Sequence, residues 1–583
     1  MISPIPFFDQ LWPWLKRYRR ALLWGSLWLL LSNGFILALP QLMRLAVAAI
    51  EAHNAEDLIF YALLMVVLTL AGSASRVRSR LYFLHTGRRV EVDLRRAMFE
   101  RLLGCDAPFF DRHHTGDLIS RLTNDLTNVR MVAGFGVLSL VNALVVYSMT
   151  LGWMLWLSPR LTLVALLPFP LMVLAIKAIS RHVLAYSARV QDQLGTLSAY
   201  IDETLSGQRS LRSAGFDSAR QQAFDALNAT YLDDALALAR VRALILPVMS
   251  VVTPSGMLLV LYFGGRQIVA GTLQLGDLVA FNAYLVQLAM PTLIFGWILT
   301  LIQRAIAAME RMSLLLELPP LPVALPAPDN AHCGPAIRLR QLRFAYPSQP
   351  DKVVLGPLSL EIAAGGFIGL VGPVASGKST LIQLLSGRYP LSPGQLEIDG
   401  LDLSEIAAAL YRQRLSAVLQ EGRLFSGPLV DNLRFGAPQL SDAELEQLLE
   451  RVCLSEEVRH FTAGLATPIG EGGLTLSGGQ RQRTAIGRAL ARNGGLWLLD
   501  DPFSHLDVHT AHVLWQQLRP LLQGRTVLFA ASRLALLQEA DWIVCLEAGQ
   551  ILEQGTHARL VEQDGYYARR FRQERLAQEL EAL

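Results

Sequence analysis

The chain has 583 residues, of which 52% are hydrophobic and only 17% charged, and its formal net charge is +3. This length exceeds that of one ordinary domain, and the apolar excess differs from an average soluble protein, so a membrane-embedded part is expected. The small net charge is spread along the sequence, so it argues against nucleic acid as a partner.

Apolar segments long enough to cross a bilayer occur only in the first half of the chain. Long charged stretches at 85–130 and 181–242 follow the second and fourth of them, and a basic cluster at 16–20 precedes the first. Because Lys and Arg favour cytoplasmic flanks, both termini and both long loops are predicted to be cytosolic. The sequence therefore predicts a multi-pass integral membrane protein whose six spans lie near 21–47, 58–80, 133–156, 160–180, 244–264 and 278–301.

The long loops carry helical apolar periodicity, as in Leu94, Met98 and Leu102, so the spans are expected to continue as helices into the cytosol. At the end of the second span stand Arg76, Arg78 and Arg80. Two interpretations of them stay open: a helix that simply leaves the membrane, which is the simpler one, or charge that faces a cavity.

A proline-rich stretch at 318–335 cannot hold a regular helix or a central strand, and it is predicted to be a linker. After it, β-rich runs at 337–344, 367–371 and 496–499 alternate with helical patterns, which is typical of an α/β domain. The predicted organisation is a transmembrane domain over 1–317, the linker over 318–335, and an α/β domain over 336–583.

A phosphate-binding loop follows the strand at 367–371 and matches GxxxxGK[ST]. Backbone N–H groups of such a loop and the next helix N-terminus form an anion site, in which Lys378 reaches the β- and γ-phosphates and Ser379 the magnesium ion. The nucleotide-binding loop consists of Gly372, Pro373, Val374, Ala375, Ser376, Gly377, Lys378, Ser379 and Thr380.

Three further residues complete the predicted site. Asp500, at the end of the apolar strand 496–499, is placed to hold Mg²⁺ beside Ser379. Gln420 follows another apolar run and is a candidate contact for magnesium and water. Tyr346 follows the run 342–345, and its flat ring can stack on adenine without forming hydrogen bonds to the base.

A second anion-binding helix end is predicted at the sequence Leu476-Ser477-Gly478-Gly479-Gln480, which precedes the helical run 481–492. Ser477 can cap that helix, and the two glycines let its N–H groups approach a phosphate closely. One chain cannot fold this segment onto its own phosphate loop if both serve the same nucleotide.

Taken together, these motifs resemble those of an ATP-binding cassette (ABC) exporter half-transporter of the multidrug type, and the resemblance covers nearly the whole chain. Ser504-His505-Leu506-Asp507 matches the family's D-loop, in which His505 is interpreted as a packing residue, and 467–471 resembles a loop that touches the transport domain. In the first half, Phe109-Phe110-Asp111 and 115–121 resemble the family's first cytosolic loop, and 205–216 the second.

The resemblance implies a fold class: a membrane all-α six-span domain (type IV ABC exporter fold) followed by an α/β P-loop NTPase nucleotide-binding domain. It implies ATP and Mg²⁺ as cofactors, a bacterial-type plasma (inner) membrane with cytosolic nucleotide-binding domains, and ATP hydrolysis coupled to the export of hydrophobic or amphipathic drugs, lipids or peptides. In this family two cassettes pair head to tail, so that each ATP lies between one chain's phosphate loop and the other chain's 476–480 segment.

Two positions depart from the family pattern. Asp501 stands where the family has its catalytic glutamate, and Ser532 stands where it has its switch histidine. The carboxylate is one methylene shorter, and a hydroxyl cannot replace an imidazole at the γ-phosphate. Because a homodimer would carry both departures in both sites, we expect a heterodimer with a second ABC half-transporter that has complete catalytic residues.

Two other functions are compatible with the motifs. One is an importer on the same exporter-like fold, for example for siderophores, which transport assays in inverted vesicles would distinguish. The other is a regulatory or ATP-gated subunit in which slow hydrolysis times a conformation. A soluble cassette protein of DNA repair or translation is excluded by the apolar spans.

Overall fold

The computed structural model describes residues 5–319, 332–420, 422–473 and 475–581. These form two compact units: a helical unit of Met1–Phe99 and Ile119–Glu317, and an α/β unit of Glu100–Leu118 and Leu318–Leu583. The α/β unit thus also contains a short segment from the first half of the chain. Of the predicted linker, residues 320–331 lie outside the described residues.

The described part of the first half of the chain consists of helices joined by short turns. Two π-helical turns, Arg121–Asp125 and Val132–Gly136, join three of its helices into one helix, Thr115–Leu157. The helices are α1 (Ile5–Lys16), α2 (Arg19–Glu51), α3 (Ala55–Leu103), α4 (Ala107–Arg112), α5 (Thr115–Ser120), α6 (Leu126–Met131), α7 (Val137–Leu157), α8 (Pro159–Leu166), α9 (Pro168–Ser206), α10 (Gln208–Ala214), α11 (Asp217–Ala243), α12 (Ile245–Val269) and α13 (Leu275–Leu316).

Among the described residues, three helices are long and apolar enough to cross a membrane: Arg19–Glu51, Ala55–Leu103 and Thr115–Leu157. Shorter apolar stretches lie at Pro159–Leu171 and Leu275–Leu288, so the predicted spans near 160–180, 244–264 and 278–301 fall in α8 and α9, in α12 and in α13. Helix α3 has 49 residues and is about 74 Å long, more than twice the ~30 Å hydrocarbon thickness. It must therefore continue well beyond a bilayer.

Two buried serines inside the helical unit donate to backbone carbonyls of a neighbouring helix, as a low-dielectric surrounding favours. The Ser32 hydroxyl donates to the Gly72 carbonyl at 2.8 Å, and the Ser79 hydroxyl donates to the Gly25 carbonyl at 2.9 Å. These two bonds tie α2 to α3 at two heights along the pair. The apolar core of the unit is formed by residues such as Leu37, Met154, Leu161, Phe281 and Tyr284.

The α/β unit contains a six-stranded sheet in the order β12-β11-β3-β10-β9-β6, a four-stranded sheet in the order β2-β1-β4-β5, and the short pair β7-β8. Its strands are β1 (Ile337–Ala345), β2 (Val353–Ile362), β3 (Phe367–Val371), β4 (Leu396–Ile398), β5 (Leu401–Asp402), β6 (Leu415–Val418), β7 (Gly427–Pro428), β8 (Pro468–Ile469), β9 (Leu496–Asp500), β10 (Thr526–Ala530), β11 (Trp542–Glu547) and β12 (Gln550–Gly555). Its helices are α14 (Lys378–Leu385), α15 (Ala408–Gln413), α16 (Leu429–Arg434), α17 (Asp442–Arg451), α18 (Ser455–His460), α19 (Gly478–Arg492), α20 (Val508–Leu518), α21 (His557–Glu562) and α22 (Tyr566–Glu581).

The centre of the larger sheet is parallel: β10 pairs with both β3 and β9, and β9 pairs with β6. Strands β3, β9 and β10 are buried along their whole length, because helices cover both faces of the sheet. Parallel strands bring their carboxyl ends to one edge. The segments that follow β3, β6, β9 and β10 therefore meet there, and they carry most of the predicted site residues.

Candidate active site

The phosphate-binding loop leaves β3 through Gly372 and enters α14 through Gly377. A Cβ on Gly372 would lie 2.2 Å from the Leu546 carbonyl oxygen. Gly377 has φ +101°, and a Cβ there would lie 2.5 Å from Leu355 Cδ2. Both positions accordingly need glycine. Ala375 adopts φ +65°, a left-handed conformation that costs an L-residue about 1–2 kcal/mol.

The Lys378 side chain folds back over the phosphate-binding loop and donates hydrogen bonds to it. Its Nζ donates to the carbonyls of Gly372 at 2.7 Å and Pro373 at 2.9 Å, and to Ser376 Oγ at 3.3 Å. Burial lowers the pKa of Lys378, while the charges of Asp500 and Asp501 act in the opposite direction. The ammonium group is thus held at the centre of the concave loop, where a phosphate would supply a stronger acceptor than the carbonyls.

Asp500 faces the phosphate loop because side chains alternate along β9. Leu496 and Leu498 point into the core that also holds Leu381 of α14, so Asp500 points to the same side. The Ser379 hydroxyl donates to Asp500 Oδ1 at 3.0 Å. Burial raises the pKa of Asp500, although the Ser379 hydrogen bond opposes this. A hydroxyl and a carboxylate at this distance are hard oxygen donors of the kind that Mg²⁺ binds.

The two residues that depart from the family pattern contact each other. The Ser532 hydroxyl donates to Asp501 Oδ2 at 2.6 Å, and its backbone N–H donates to Oδ1 at 3.4 Å. Asp501 has φ +47°, and its N–H donates to the Ala530 carbonyl at 2.8 Å. Both carboxylate oxygens of Asp501 therefore accept hydrogen bonds from the residue that stands at the switch position.

Tyr346 belongs to an aromatic cluster at the end of β1. Its ring centroid lies 5.1 Å from that of Phe344 and 5.4 Å from that of Tyr389, both edge to face. Its hydroxyl is 3.0 Å from Thr380 Oγ1 of α14. The ring is thereby fixed beside the phosphate loop, in a position suited to a planar base.

Residues 476–480, called the signature segment below, form the N-terminal cap of α19. Ser477 Oγ accepts from the Gln480 N–H at 3.2 Å, and Gln480 Oε1 accepts from the Ser477 N–H at 2.9 Å, which completes a capping box. Ser477 is exposed, and Gly478 lies beside the exposed His505 ring. The result is an accessible helix N-terminus with small residues at its tip.

Helix α19, which begins at this N-terminus, packs on a different strand from the one that precedes the phosphate loop. Helix α19 packs on β6, where the Ser416 hydroxyl donates to the Ala489 carbonyl at 2.9 Å. In the sheet order β6 is the third strand from β3, which corresponds to about 14 Å at one strand spacing of about 4.8 Å each. Helix α19 therefore packs on the edge strand of the sheet, whereas the phosphate loop follows a strand inside it.

Gln420 is exposed at the end of β6 and lines a cleft of about 760 Å³ together with Gly478, Gln482 and His505. Its side chain makes no hydrogen bond to Ser379 or Asp500 in the part of the chain that the structure describes. The structure thus brings Ser379, Asp500 and Asp501 together, and it places Gln420 towards the signature helix.

Two sets of contacts were not anticipated from the sequence. Gln482 is buried and donates to the Asp501 carbonyl and to Ser504 Oγ, both at 3.0 Å, so it ties α19 to the strand end. In the other set, the Tyr389 hydroxyl donates to Asp111 Oδ2 at 2.8 Å. The Tyr389–Asp111 pair carried no local sequence signal, whereas a glutamine two residues after the 476–480 motif could have suggested a link to the D-loop.

Comparison with known proteins shows which family the chain belongs to. Residues 23–292 match the family model described as ABC transporter transmembrane region, and 355–504 match the model described as ABC transporter. The Multidrug resistance-like ATP-binding protein MdlA of Escherichia coli is 30% identical, over 98% of this chain and 97% of that protein. The chain belongs to the ABC transporter family.

Further relatives place it among the ABC exporters. The ATP-dependent lipid A-core flippase of Pseudomonas fluorescens is 32% identical, over 82% of this chain and 79% of the flippase. The structure of a bacterial Atm1-family ABC exporter with ATP bound has a TM-score of 0.78 and 25% identity, covering 95% of this chain and 98% of the exporter chain. The chain therefore has the fold of an ABC exporter half-transporter, a transmembrane domain followed by an ATP-binding domain.

The Asp111–Tyr389 contact predicts a measurable effect in this exporter. Burial, followed by the hydrogen bond to Asp111, raises the pKa of Tyr389 to about 12, so the phenol stays protonated and donates at physiological pH. Tyr389→Phe removes this donor but keeps the ring beside Tyr346. Because a hydrogen bond to a charged group contributes about 1.5–3 kcal/mol, we expect hydrogen exchange of residues 106–113 to accelerate about 10- to 100-fold.

The matched control is Asp111→Asn, which keeps an acceptor oxygen for the phenol and should change exchange far less. Unaltered protection of 106–113 in Tyr389→Phe would show that the hydrogen bond does not hold this segment.

Proposed function

We propose that this ABC exporter chain is one subunit of a heterodimer, in which its own ATP site is slow and its signature segment completes the hydrolytic site of a second half-transporter. The observation that carries the proposal is the hydrogen-bonded pair Asp501–Ser532, at 2.6 Å. The glutamate and histidine that the family resemblance implies at these positions are replaced by two shorter side chains, and these side chains engage each other.

The geometry supports slow hydrolysis at this site. A general base must lie within hydrogen-bond reach of the proton that it removes from the attacking water, so its position is decisive. Asp501 is one methylene shorter than glutamate, and both of its oxygens already accept hydrogen bonds from Ser532. Ser532 is neutral and points to Asp501, so it offers no cationic or long-range donor to a γ-phosphate.

Nucleotide binding at the same site is supported. Loop residues 372–380 keep the glycines that the tight turn requires, and Lys378 lies at its centre. The Ser379 hydroxyl and the buried Asp500 carboxylate fit Mg²⁺, since both are oxygen donors and they already lie within hydrogen-bond distance of each other. Bound there, Mg²⁺ would neutralise phosphate charge, while Tyr346 would stack on the base.

The complete signature segment, residues 476–480, supports its proposed role at a nucleotide that the companion holds. Ser477 caps α19 and leaves the helix N-terminus accessible. Because this end is exposed and carries small residues, it can serve the phosphate of a nucleotide held by another chain. The predicted companion therefore contributes a phosphate loop and a catalytic acid, and this chain contributes the helix end.

The substrate proposed is a hydrophobic or amphipathic molecule, exported from the cytosolic side of a bacterial inner membrane by alternating access. The names of two relatives, a multidrug resistance-like protein and a lipid A-core flippase, support this substrate range. When the two nucleotide-bound α/β units close on each other, the transport cavity would change from inward-facing to outward-facing. Hydrolysis at the companion's site would return it to the inward-facing state.

The test is the ATPase activity of the assembled transporter with Asp501→Ala. We expect most of the activity to remain, because the companion's acid carries the turnover. The matched variant replaces that acid in the companion and should remove most activity. Near-total loss in Asp501→Ala, or full-rate hydrolysis by this chain alone, would contradict the unequal sites.

A further inference from the structure

Helix α3 carries two arginines on one face, near the end of its apolar portion. Arg76 and Arg80 are four residues apart, so their side chains lie on the same side of the helix, about 6 Å apart along its axis. Arg78, between them, lies on another face. Arg76 is half-buried, whereas Arg78 and Arg80 are exposed.

Arg76 and Arg80 line a cavity of about 440 Å³ inside the helical unit, and Arg78 does not. Helices α2, α7 and α13 and the π-helical turn Val132–Gly136 supply the other walls, which are mainly apolar, with residues such as Leu29, Phe135 and Val146. The neutral polar residues in the lining are Asn33, Ser139, Asn142 and Gln287, and among the described residues the lining includes neither Asp nor Glu. The cavity is therefore basic at one wall and apolar around it.

Neither arginine has an ion pair or hydrogen bond within the part of the chain that the structure describes. Three other arginines of the helical unit do have a carboxylate partner: Arg44 pairs with Asp277 at 2.6 Å, Arg130 with Glu91 at 3.2 Å, and Arg311 with Asp125. A guanidinium in apolar surroundings without an anion is costly. Because the described lining of the cavity holds no carboxylate, an anion that contacts both Arg76 and Arg80 there has to come from a bound molecule.

We propose that this cavity binds the anionic head group of an amphipathic molecule. Arg76 and Arg80 contact its phosphate or carboxylate, since a guanidinium matches both groups, and the apolar walls contact its hydrocarbon part. A cavity of 440 Å³ is in the range of sites for a single small ligand. This assignment narrows the substrate class of the proposed exporter and rests on that proposal only for the transport step.

The experiment measures binding to the full-length transporter in nanodiscs of zwitterionic lipid, without nucleotide. Four probes share a twelve-carbon chain and differ in head group: dodecyl phosphate, dodecanoate, dodecylphosphocholine and dodecyltrimethylammonium. We expect both anionic probes to bind at least about 10-fold more tightly than the other two, because charge-assisted hydrogen bonds to two guanidinium groups are formed. Inorganic phosphate, which lacks the hydrocarbon part, should bind far more weakly than dodecyl phosphate.

Arg76→Gln/Arg80→Gln should weaken binding of the anionic probes about 10- to 100-fold and leave the cationic probe unaffected or improved. Arg78→Gln is the matched control, on the same helix between the two, and should change nothing. Arg76→Lys/Arg80→Lys keeps the charge, so it should retain most of the preference for anions, and it serves if the glutamine variant does not fold.

Equal affinity for all four head groups, or equal losses in the Arg78→Gln control, would overturn the assignment. These readouts do not involve ATP. A failure of the unequal-site proposal would appear in ATPase activity instead, so the two results are separable.

Discussion

Ser477→Arg is expected to abolish most ATP turnover of the assembled transporter, a loss of about 100-fold or more. Ser477 lies at the exposed tip of α19, where the helix N–H groups and two glycines leave room for a phosphate. An arginine side chain fills that space and removes oriented donors from the γ-phosphate of the companion's nucleotide. Loss of such donors typically costs about 10²- to 10³-fold in rate. The measurement is steady-state ATPase activity of the purified complex.

The chain offers a closely matched control, Ser441→Arg. Ser441 is also exposed and also completes a capping box, with Glu444 at the start of α17. Each substitution removes a cap of about 1 kcal/mol and adds the same charge at a helix N-terminus. If the two variants are destabilised alike but only Ser477→Arg loses activity, the effect belongs to the site. Full activity in Ser477→Arg would count against the arrangement in trans.

The double variant Asp501→Glu/Ser532→His is expected to raise hydrolysis at this chain's own site by up to about 100-fold. Glutamate restores the missing methylene, and histidine removes the hydroxyl that donates to the carboxylate. Misplacement of a catalytic group by about 1 Å costs about 100-fold, so correcting it should recover a similar factor. The activity is measured in a complex whose other catalytic acid has been changed to glutamine.

Single variants resolve the contribution of the pair. Asp501→Glu and Ser532→His alone should each recover less than the double variant, since the two side chains contact each other and their effects are coupled. Asp501→Asn/Ser532→His supplies the imidazole without an acid and should remain slow. If the double variant binds ATP normally but hydrolyses no faster, the slow rate has another cause than these two residues.

Local motifs were predictable from the sequence because each imposes its own backbone requirement. The phosphate loop needs glycine at 372 and 377, and Ser477 followed by Gln480 three residues later specifies a capping box. Asp500 could be placed beside Ser379 because both follow strands of one parallel sheet. The fold of an ABC exporter was likewise predicted, from the order of motifs and apolar segments.

Contacts between distant segments could not be predicted in the same way. Asp501 and Ser532 were each recognised as departures, but their hydrogen bond depends on β9 and β10 being neighbours in the sheet. Tyr389 and Asp111 are 278 positions apart, and nothing in either local sequence indicates the other. For Arg76 and Arg80 the sequence left two interpretations open, and the packing of α2, α7 and α13 favours the cavity.

The unbroken length of α3 has a mechanical consequence. The helix contains no proline, and Phe99, its last residue within the helical unit, lies 19 residues beyond Arg80, or about 28 Å at 1.5 Å per residue. A stiff rod of that length amplifies rotation: a swing of about 5° around Arg80 displaces Phe99 by about 2.5 Å. Small rotations near the two guanidinium groups therefore become displacements of atomic size at the edge of the helical unit.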